Sequence, residues 1–203
     1  MTNNQAFRLI VVPGVVIDRW ARTWAERRPG NRLELVPAEA ADAAGLMPGE
    51  ADAGLVRLPV DRDVFHAIPL YTEASVVIIP RDHVLNAAEE VTLAEAGELG
   101  DAFLRPLDDV LEWDAPPAGG LERPATTAEA VEWVAAGVGL LVAPQSLARL
   151  HHRRDLKYRT VTDAPQSSVV LAWPRDAHSD LVEEMIGIVR GRTVNSTRGR
   201  PGR

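Results

Sequence analysis

Short β-rich runs alternate with helical stripes along the first part of this chain. Phe7 to Val12 is one such run, and it ends at the turn signal Pro13-Gly14. Ile17, Trp20, Ala21 and Trp24 then fall at i, i+3, i+4 and i+7, the apolar stripe of a helix that Pro29-Gly30 stops. Leu33 to Pro37 reads as a second strand and the Ala-rich stretch Ala38 to Met47 as a second helix, closed by Pro48-Gly49. Ala51 to Leu58 reads as a third strand. The resulting order, β-α-β-α-β, predicts a parallel sheet with covering helices.

The pattern then changes. Phe65 to Tyr71 and Ala74 to Pro80 are two extended runs, and Val76-Val77-Ile78-Ile79 is continuous and apolar, as in a strand buried on both faces. Thr92 to Leu99 reads as a short helix and Asp101 to Arg105 as a strand. Residues 106 to 123, with Pro106, Pro116, Pro117, Gly119 and Gly120, read as loop. Thr126-Thr127-Ala128-Glu129 fits a capping box. The helix behind it carries Thr127, Val131, Val134, Ala135 and Val138 on one face and ends at Gly137 and Gly139. Leu140 to Ala143 is a short strand and Gln145 to His152 a short helix. Leu156 to Thr162 and Ser168 to Trp173 are strands. Val182, Met185, Ile186 and Val189 mark a last helix from Ser179 to Arg190.

Composition narrows the function classes. The 203 residues carry 22 Lys and Arg against 29 Asp and Glu, a net charge of −7, which argues against a general nucleic-acid binder. There is no cysteine, so disulfides, thiolate metal sites and a cysteine nucleophile are excluded. The N-terminal apolar run is too short for a signal peptide, and nowhere do about 18 apolar residues run together as a membrane span needs. A cytoplasmic protein is expected. The Arg-rich end, residues 193–203, reads as a disordered basic tail.

Three motifs occur in a familiar order. Met47-Pro48-Gly49-Glu50-Ala51-Asp52-Ala53-Gly54-Leu55-Val56-Arg57 resembles the L-x-x-G-x-x-D-x-G-h-h-R stretch (h, apolar) of the effector-binding domain of LysR-type transcriptional regulators. Ile68-Pro69-Leu70-Tyr71-Thr72-Glu73, followed by Ile79-Pro80-Arg81-Asp82-His83-Val84-Leu85, is similar to that family's P-L-x-x-E … P-x-x-H-P-L, with Val84 in place of the proline. Val134 to Pro144 resembles V-x-x-G-x-G-h-x-h-h-P. The resemblance runs from about residue 7 to 190. It implies an α/β fold of two Rossmann-like subdomains joined by two crossover strands, like the type 2 periplasmic binding proteins. Subdomain I is expected at 6–77 plus 168–192 and subdomain II at 78–167. No segment reads as the family's winged helix-turn-helix, so a free-standing effector domain without direct DNA binding is expected.

In such a fold, ligands sit at the carboxyl ends of strands. Pro13, Gly14 and Val15 end the first strand and open the first helix, where backbone N–H groups and the helix dipole favour an anion. They carry no side-chain hydroxyl, so a polar effector there depends on backbone donors. Arg57 ends the third strand and can pair bidentately with a carboxylate, or with Asp61, Asp63 or Glu73. Thr126 and Thr127 open the second subdomain's helix as ligand contacts or as its cap. Pro144 and Gln145 border the same region. The family's effectors are often small organic acids, which this set suits. The expected function is non-enzymatic binding of a small, anionic metabolite, linked to transcription regulation and needing no cofactor. The alternative is an interaction module that pairs with itself or with a LysR-type regulator, to which an exposed Trp20–Trp24 helix would point.

The remaining features carry less. His151 and His152 project about 100° apart on a helix and make no metal pair. With Arg153, Arg154 and Lys157 they read as a solvated basic edge. Asp82-His83 reads as a turn with local hydrogen bonds. Asp108, Asp109, Glu112 and Asp114 form an acidic loop. No Gly-x-Ser-x-Gly, P-loop or dinucleotide fingerprint is present.

Overall fold

A computed structural model describes residues 5–47, 49–111, 113 and 121–192. The chain forms two compact units. One takes the chain up to Ala38, Asp42–Leu70 and the chain from Val170 on; the other takes Glu39–Ala41 and Tyr71–Val169.

The first unit is built on strands β1 (Phe7–Val11), β2 (Leu33–Pro37) and β3 (Ala53–Arg57), with β4 (Phe65–Glu73) as far as Leu70 and β10 (Ser167–Pro174) from Val170 on, in the order β2-β1-β3-β10-β4. β1 runs parallel to both β2 and β3, with Leu9 opposite Leu35 and Ala53. That is the parallel arrangement the opening β-α-β pattern predicts. Alternation along the strands sends Phe7, Leu9, Ala53, Leu55, Leu171 and Trp173 to one face. There they meet helices α1 (Asp18–Arg27) and α5 (Asp180–Val189) through Ile17, Trp24, Val182, Met185 and Ile186. Ile10, Val12, Val56, Phe65, Val170 and Ala172 pack on the other face against Ala43 and Met47. Pro69 lies within edge strand β4, the kind of strand to which proline is confined in sheets.

The stretch 38–47, expected as a helix, is a series of turns. Its bonds join Gly45 N–H to the Asp42 carbonyl and Met47 N–H to that of Ala44, one residue short of the helical step. Gly45 at its centre weakens a helix by about 1 kcal/mol relative to alanine. Ala43 and Met47 still reach the core, so burial is met without a helix.

The second unit holds β5 (Ser75–Pro80), β6 (Glu90–Val91), β7 (Phe103–Leu104), β8 (Leu140–Pro144) and β9 (Leu156–Val161), ordered β6-β9-β5-β8-β7. β5 is antiparallel to both its neighbours and buried on both faces, as its continuous apolar run predicts. Residues 75–77, placed with the first unit by the sequence, therefore lie in a strand that pairs only with strands of the second. Helices α3 (Thr127–Ala135) and α4 (Gln145–Leu150) cover one face through Ala130, Val131, Val134, Leu147 and Ala148. Val138, expected on the apolar face of α3, falls beyond its end and is exposed. A 3-10 turn (Val84–Ala87) and α2 (Leu93–Glu98), which opens with a capping box of Thr92 and Glu95, border the other face. The expected basic tail, 193–203, lies outside the described residues.

Candidate functional site

In the first unit, four of the expected site residues come together. The β1–β3 register puts Val11 opposite Leu55, which brings Pro13 beside Arg57 two residues on. Arg57 is 6% exposed, and its Nη2 donates to the Pro13 carbonyl at 3.2 Å. The turn is closed by Val15 N–H to the Val12 carbonyl at 3.3 Å, with Gly14 at φ 84°, a left-handed conformation that favours glycine. Helix α1 follows with Ile17 as its N-cap and no side-chain cap. Among the side-chain-capped helices, α2, α3 and α5 have Thr92, Thr126 and Ser179 in that place. Asp18 sets a carboxylate in the first turn of α1.

The second unit uses its expected residues differently. Thr126 is exposed and caps α3, its Oγ1 accepting from the Glu129 amide at 3.1 Å. The returning Glu129 carboxylate takes the amide of Ala125, one residue before the position that a capping box uses. Thr127 is 4% exposed and donates its hydroxyl to Asp108 Oδ1 at 2.9 Å, so this hydroxyl is already committed within the chain. Pro144 pairs with Ser75 at the start of β5. Gln145 N–H donates to the Ala74 carbonyl at 3.1 Å and Ser146 N–H to Glu73 Oε2 at 3.0 Å. Buried Ser75 donates its hydroxyl to the Pro165 carbonyl. Glu73, Ser75 and Asp108 were not among the expected site residues. Glu73 stands in the quoted P-L-x-x-E motif, and the sequence points to it only as a partner of Arg57.

The acidic loop has its own partners. Asp109 binds the Arg105 guanidinium and accepts from the Leu111 amide, while Arg105 lies over the Trp113 ring at 5.4 Å. Glu112 and Asp114 lie outside the described residues. No cluster of three or more His, Asp or Glu able to hold a metal occurs among the described residues. Burial holds the Asp109 carboxyl above its ordinary value of 3.8, against the opposing pull of the Leu111 amide and Arg105. A raised acid takes up its proton more readily folded than unfolded. Ionised Asp109 therefore opposes folding at neutral pH, and this is relieved as pH falls through the raised value towards 3.8. Urea denaturation from pH 7 to pH 4 is expected to show the native protein gaining stability relative to Asp109→Asn on acidification. A constant difference between the two would contradict it.

His83 forms the expected local turn: Nδ1 accepts from the Leu85 amide at 3.2 Å and Nε2 meets Asp101 Oδ2 at 3.0 Å. Trp24 is buried against Phe7, whereas Trp20 is only partly buried. No helix among the described residues is long and apolar enough to cross a membrane.

Solved structures of known proteins share this fold. The effector-binding domain of BenM, determined with its effector benzoate, superposes with a TM-score of 0.74 at 19% identity, covering 97% of this chain and 96% of that one. Reduced OxyR gives 0.72 at 19% identity, covering 97% and 100%. This is the type 2 periplasmic-binding-protein-like fold. In sequence, a probable hydrogen peroxide-inducible genes activator of Mycobacterium avium is 33% identical over 143 residues, 64% of this chain and 45% of that protein. The HTH-type transcriptional regulator CatR of Pseudomonas putida is 27% identical over 179 residues, 81% of this chain and 61% of that protein. The chain thus spans about half to three-fifths of the length of these relatives. The LysR substrate binding domain family matches residues 8–193, and the chain belongs to that family.

Proposed function

We propose that this chain binds a small organic acid or similar metabolite without catalysis, as the sensing domain of a LysR-type transcriptional regulation system in the cytoplasm. The observation that carries the ligand class is the start of α1, which no side chain caps and which follows the Pro13–Val15 turn held by buried Arg57. Helix N–H groups and a guanidinium both favour an anion. In the second unit the hydroxyls of both threonines are engaged, Thr127 with Asp108 and Thr126 as the cap of α3. Relatives named as transcriptional regulators and a BenM domain with its effector benzoate support the reading. Because the chain has no cysteine, its sensing proceeds without thiol oxidation.

A thermal-shift panel of benzoate, aliphatic carboxylates, amino acids and neutral amides tests this. A ligand at 100 times its Kd stabilises the folded state by about 2.7 kcal/mol, which raises Tm by about 5–10 °C in a protein of this size. The rise is expected for carboxylates and not for the matched amides, and is expected to be lost in Arg57→Ala. A flat response would favour a second reading, pairing with another copy or with a LysR-type regulator. Val16 at 74% exposure, half-exposed Leu35 on edge strand β2 and partly buried Trp20 are the observations on its side.

A further inference from the structure

The acidic balance of the chain is not spread evenly. Residues 190–203 hold five of the 22 cationic side chains, Arg190, Arg192, Arg198, Arg200 and Arg203, and none of the 29 acidic ones. The structure shows how this segment leaves the first unit. Arg190 is the C-cap of α5, and Gly191 turns the chain at φ 67°, its N–H donating to the Ile188 carbonyl at 3.0 Å. Arg192 N–H donates to the Gly187 carbonyl at 2.9 Å, and the Arg192 carbonyl accepts from Arg27 Nη2 of α1. Glu184 of α5 is taken by Arg27 and Arg28. The Arg190 and Arg192 side chains are exposed and make no ion pair among the described residues. Two Arg-Gly-Arg triplets occur here. In Arg190-Gly191-Arg192 the glycine serves to stop α5. The second triplet, Arg198-Gly199-Arg200, begins six residues after Arg192 and is followed by Pro201.

We infer that Arg198-Gly199-Arg200-Pro201 inserts into the minor groove of A·T-rich duplex DNA, with Arg192 and Arg203 on the flanking phosphates. A residue that precedes proline is driven to extended backbone, and Arg200 is that residue. On an extended segment alternate side chains share one side. Arg198 and Arg200 therefore reach the groove floor together, about 7 Å apart, the rise of two base pairs. Gly199 between them has no side chain to hold the backbone away from a groove only about 6 Å wide. A narrow A·T minor groove concentrates negative potential and draws arginine in, whereas a G·C pair sets the guanine N2 amine in the way. Other polyanions fit less well. The minor groove of an RNA duplex is wide and shallow. A lipid surface needs an apolar face, and Val194 is the one aliphatic side chain of residues 190–203 apart from Pro201. The acidic excess of the rest of the chain opposes DNA, so contact is confined to this segment. The expectation of no direct DNA binding, which rests on the lack of a helix-turn-helix, gives way to contact by an arginine segment.

The test uses the whole chain and two short labelled duplexes, one an A·T tract and one all G·C, followed by fluorescence anisotropy. Saturable binding at low salt is expected, about tenfold tighter for the A·T duplex. Affinity should fall with salt at a log–log slope of about −3, and Arg198→Ala/Arg200→Ala should flatten that slope by about 2 and abolish the A·T preference. Gly199→Leu leaves the charge unchanged and is expected to weaken A·T binding about tenfold, because its side chain holds the backbone off the groove. The substituted residues all follow α5, and circular dichroism checks that the folded body is unchanged. Equal affinity for the two DNA duplexes, equal affinity for duplex RNA or for vesicles of anionic lipid, affinity unchanged in Arg198→Ala/Arg200→Ala, or no saturable binding at low salt would each overturn the proposal.

Discussion

Trp24→Ala is expected to destabilise the protein by about 4 kcal/mol, the middle of the range for removing a buried large aromatic side chain. Trp24 is 1% exposed, stacks on Phe7 at 4.7 Å between ring centroids, and donates its indole N–H to the Asn31 carbonyl at 2.8 Å. Truncation opens a cavity between α1 and the sheet, removes the ring stack and leaves an acceptor without its donor. Native domains are stable by only about 5–15 kcal/mol, so the loss is a large part of the total. Urea denaturation should show a lower midpoint at unchanged slope. Trp24→Phe keeps a ring on Phe7 and should lose about half as much. The functional consequence follows from position: Trp24 seats α1, and the other end of α1 follows the Pro13–Val15 turn. Ligand response and stability should therefore fall together in Trp24→Ala. A variant with native stability would contradict the assignment of Trp24 as the anchor of α1.

Gly139→Ala is the second large effect, in the other unit. A Cβ at this position would stand 2.4 Å from the Ala102 carbonyl oxygen and 3.3 Å from Leu104 Cγ. That oxygen already accepts from Leu140 N–H at 2.8 Å, and β7 and β8 pair from Phe103 and Leu140 onwards. The obstacle is backbone held in a sheet, so relief requires the β7–β8 edge to separate. Overpacking of this kind costs about 3 kcal/mol. Thermal melts and amide exchange at Phe103 and Leu104 check it, with faster exchange expected at that edge. Gly187→Ala provides the contrast, since nothing lies within 4 Å of its added Cβ and it sits inside α5. It should be neutral or stabilise by up to about 1 kcal/mol. Equal melting of the two variants would show that the close approach at Gly139 is not limiting.

Much of the fold was legible because periodicity and punctuation coincide. β2 ends at Pro37, where the Ala-rich stretch begins, α1 stops before Pro29-Gly30, and the unbroken apolar run Val76-Val77-Ile78-Ile79 lies in a central strand. The exceptions have physical causes. The 38–47 segment has helical composition, but its core contacts come from Ala43 and Met47 within turns bonded at the wrong step. β6 is two residues long, too short to carry an alternation. The candidate site was legible in part for the same reason that its motifs are local: Pro13, Gly14 and Val15 form one turn. What was not legible depends on partners far along the chain. Thr127 lies 19 residues from Asp108, and Arg57 lies 44 from the carbonyl it binds. A capping box gives no sign that one of its threonines is committed elsewhere.

The strand order of the first unit has a consequence for biosynthesis. Four of its strands lie within residues 7–73, yet β10, residues 167–174, separates β3 from β4. Until β10 emerges from the ribosome, edge strand β4 has no neighbour in this sheet, and the apolar side chains that β10 covers are exposed. The second unit is almost continuous, from Tyr71 to Val169, and its strands are all available by then. Vectorial synthesis thus favours completion of the second unit while the first waits for a strand supplied from the far end of the chain. The long sequence separation between β10 and its neighbours makes closure of the first sheet the slow, high-contact-order event, and the nascent chain is most exposed to aggregation during that interval.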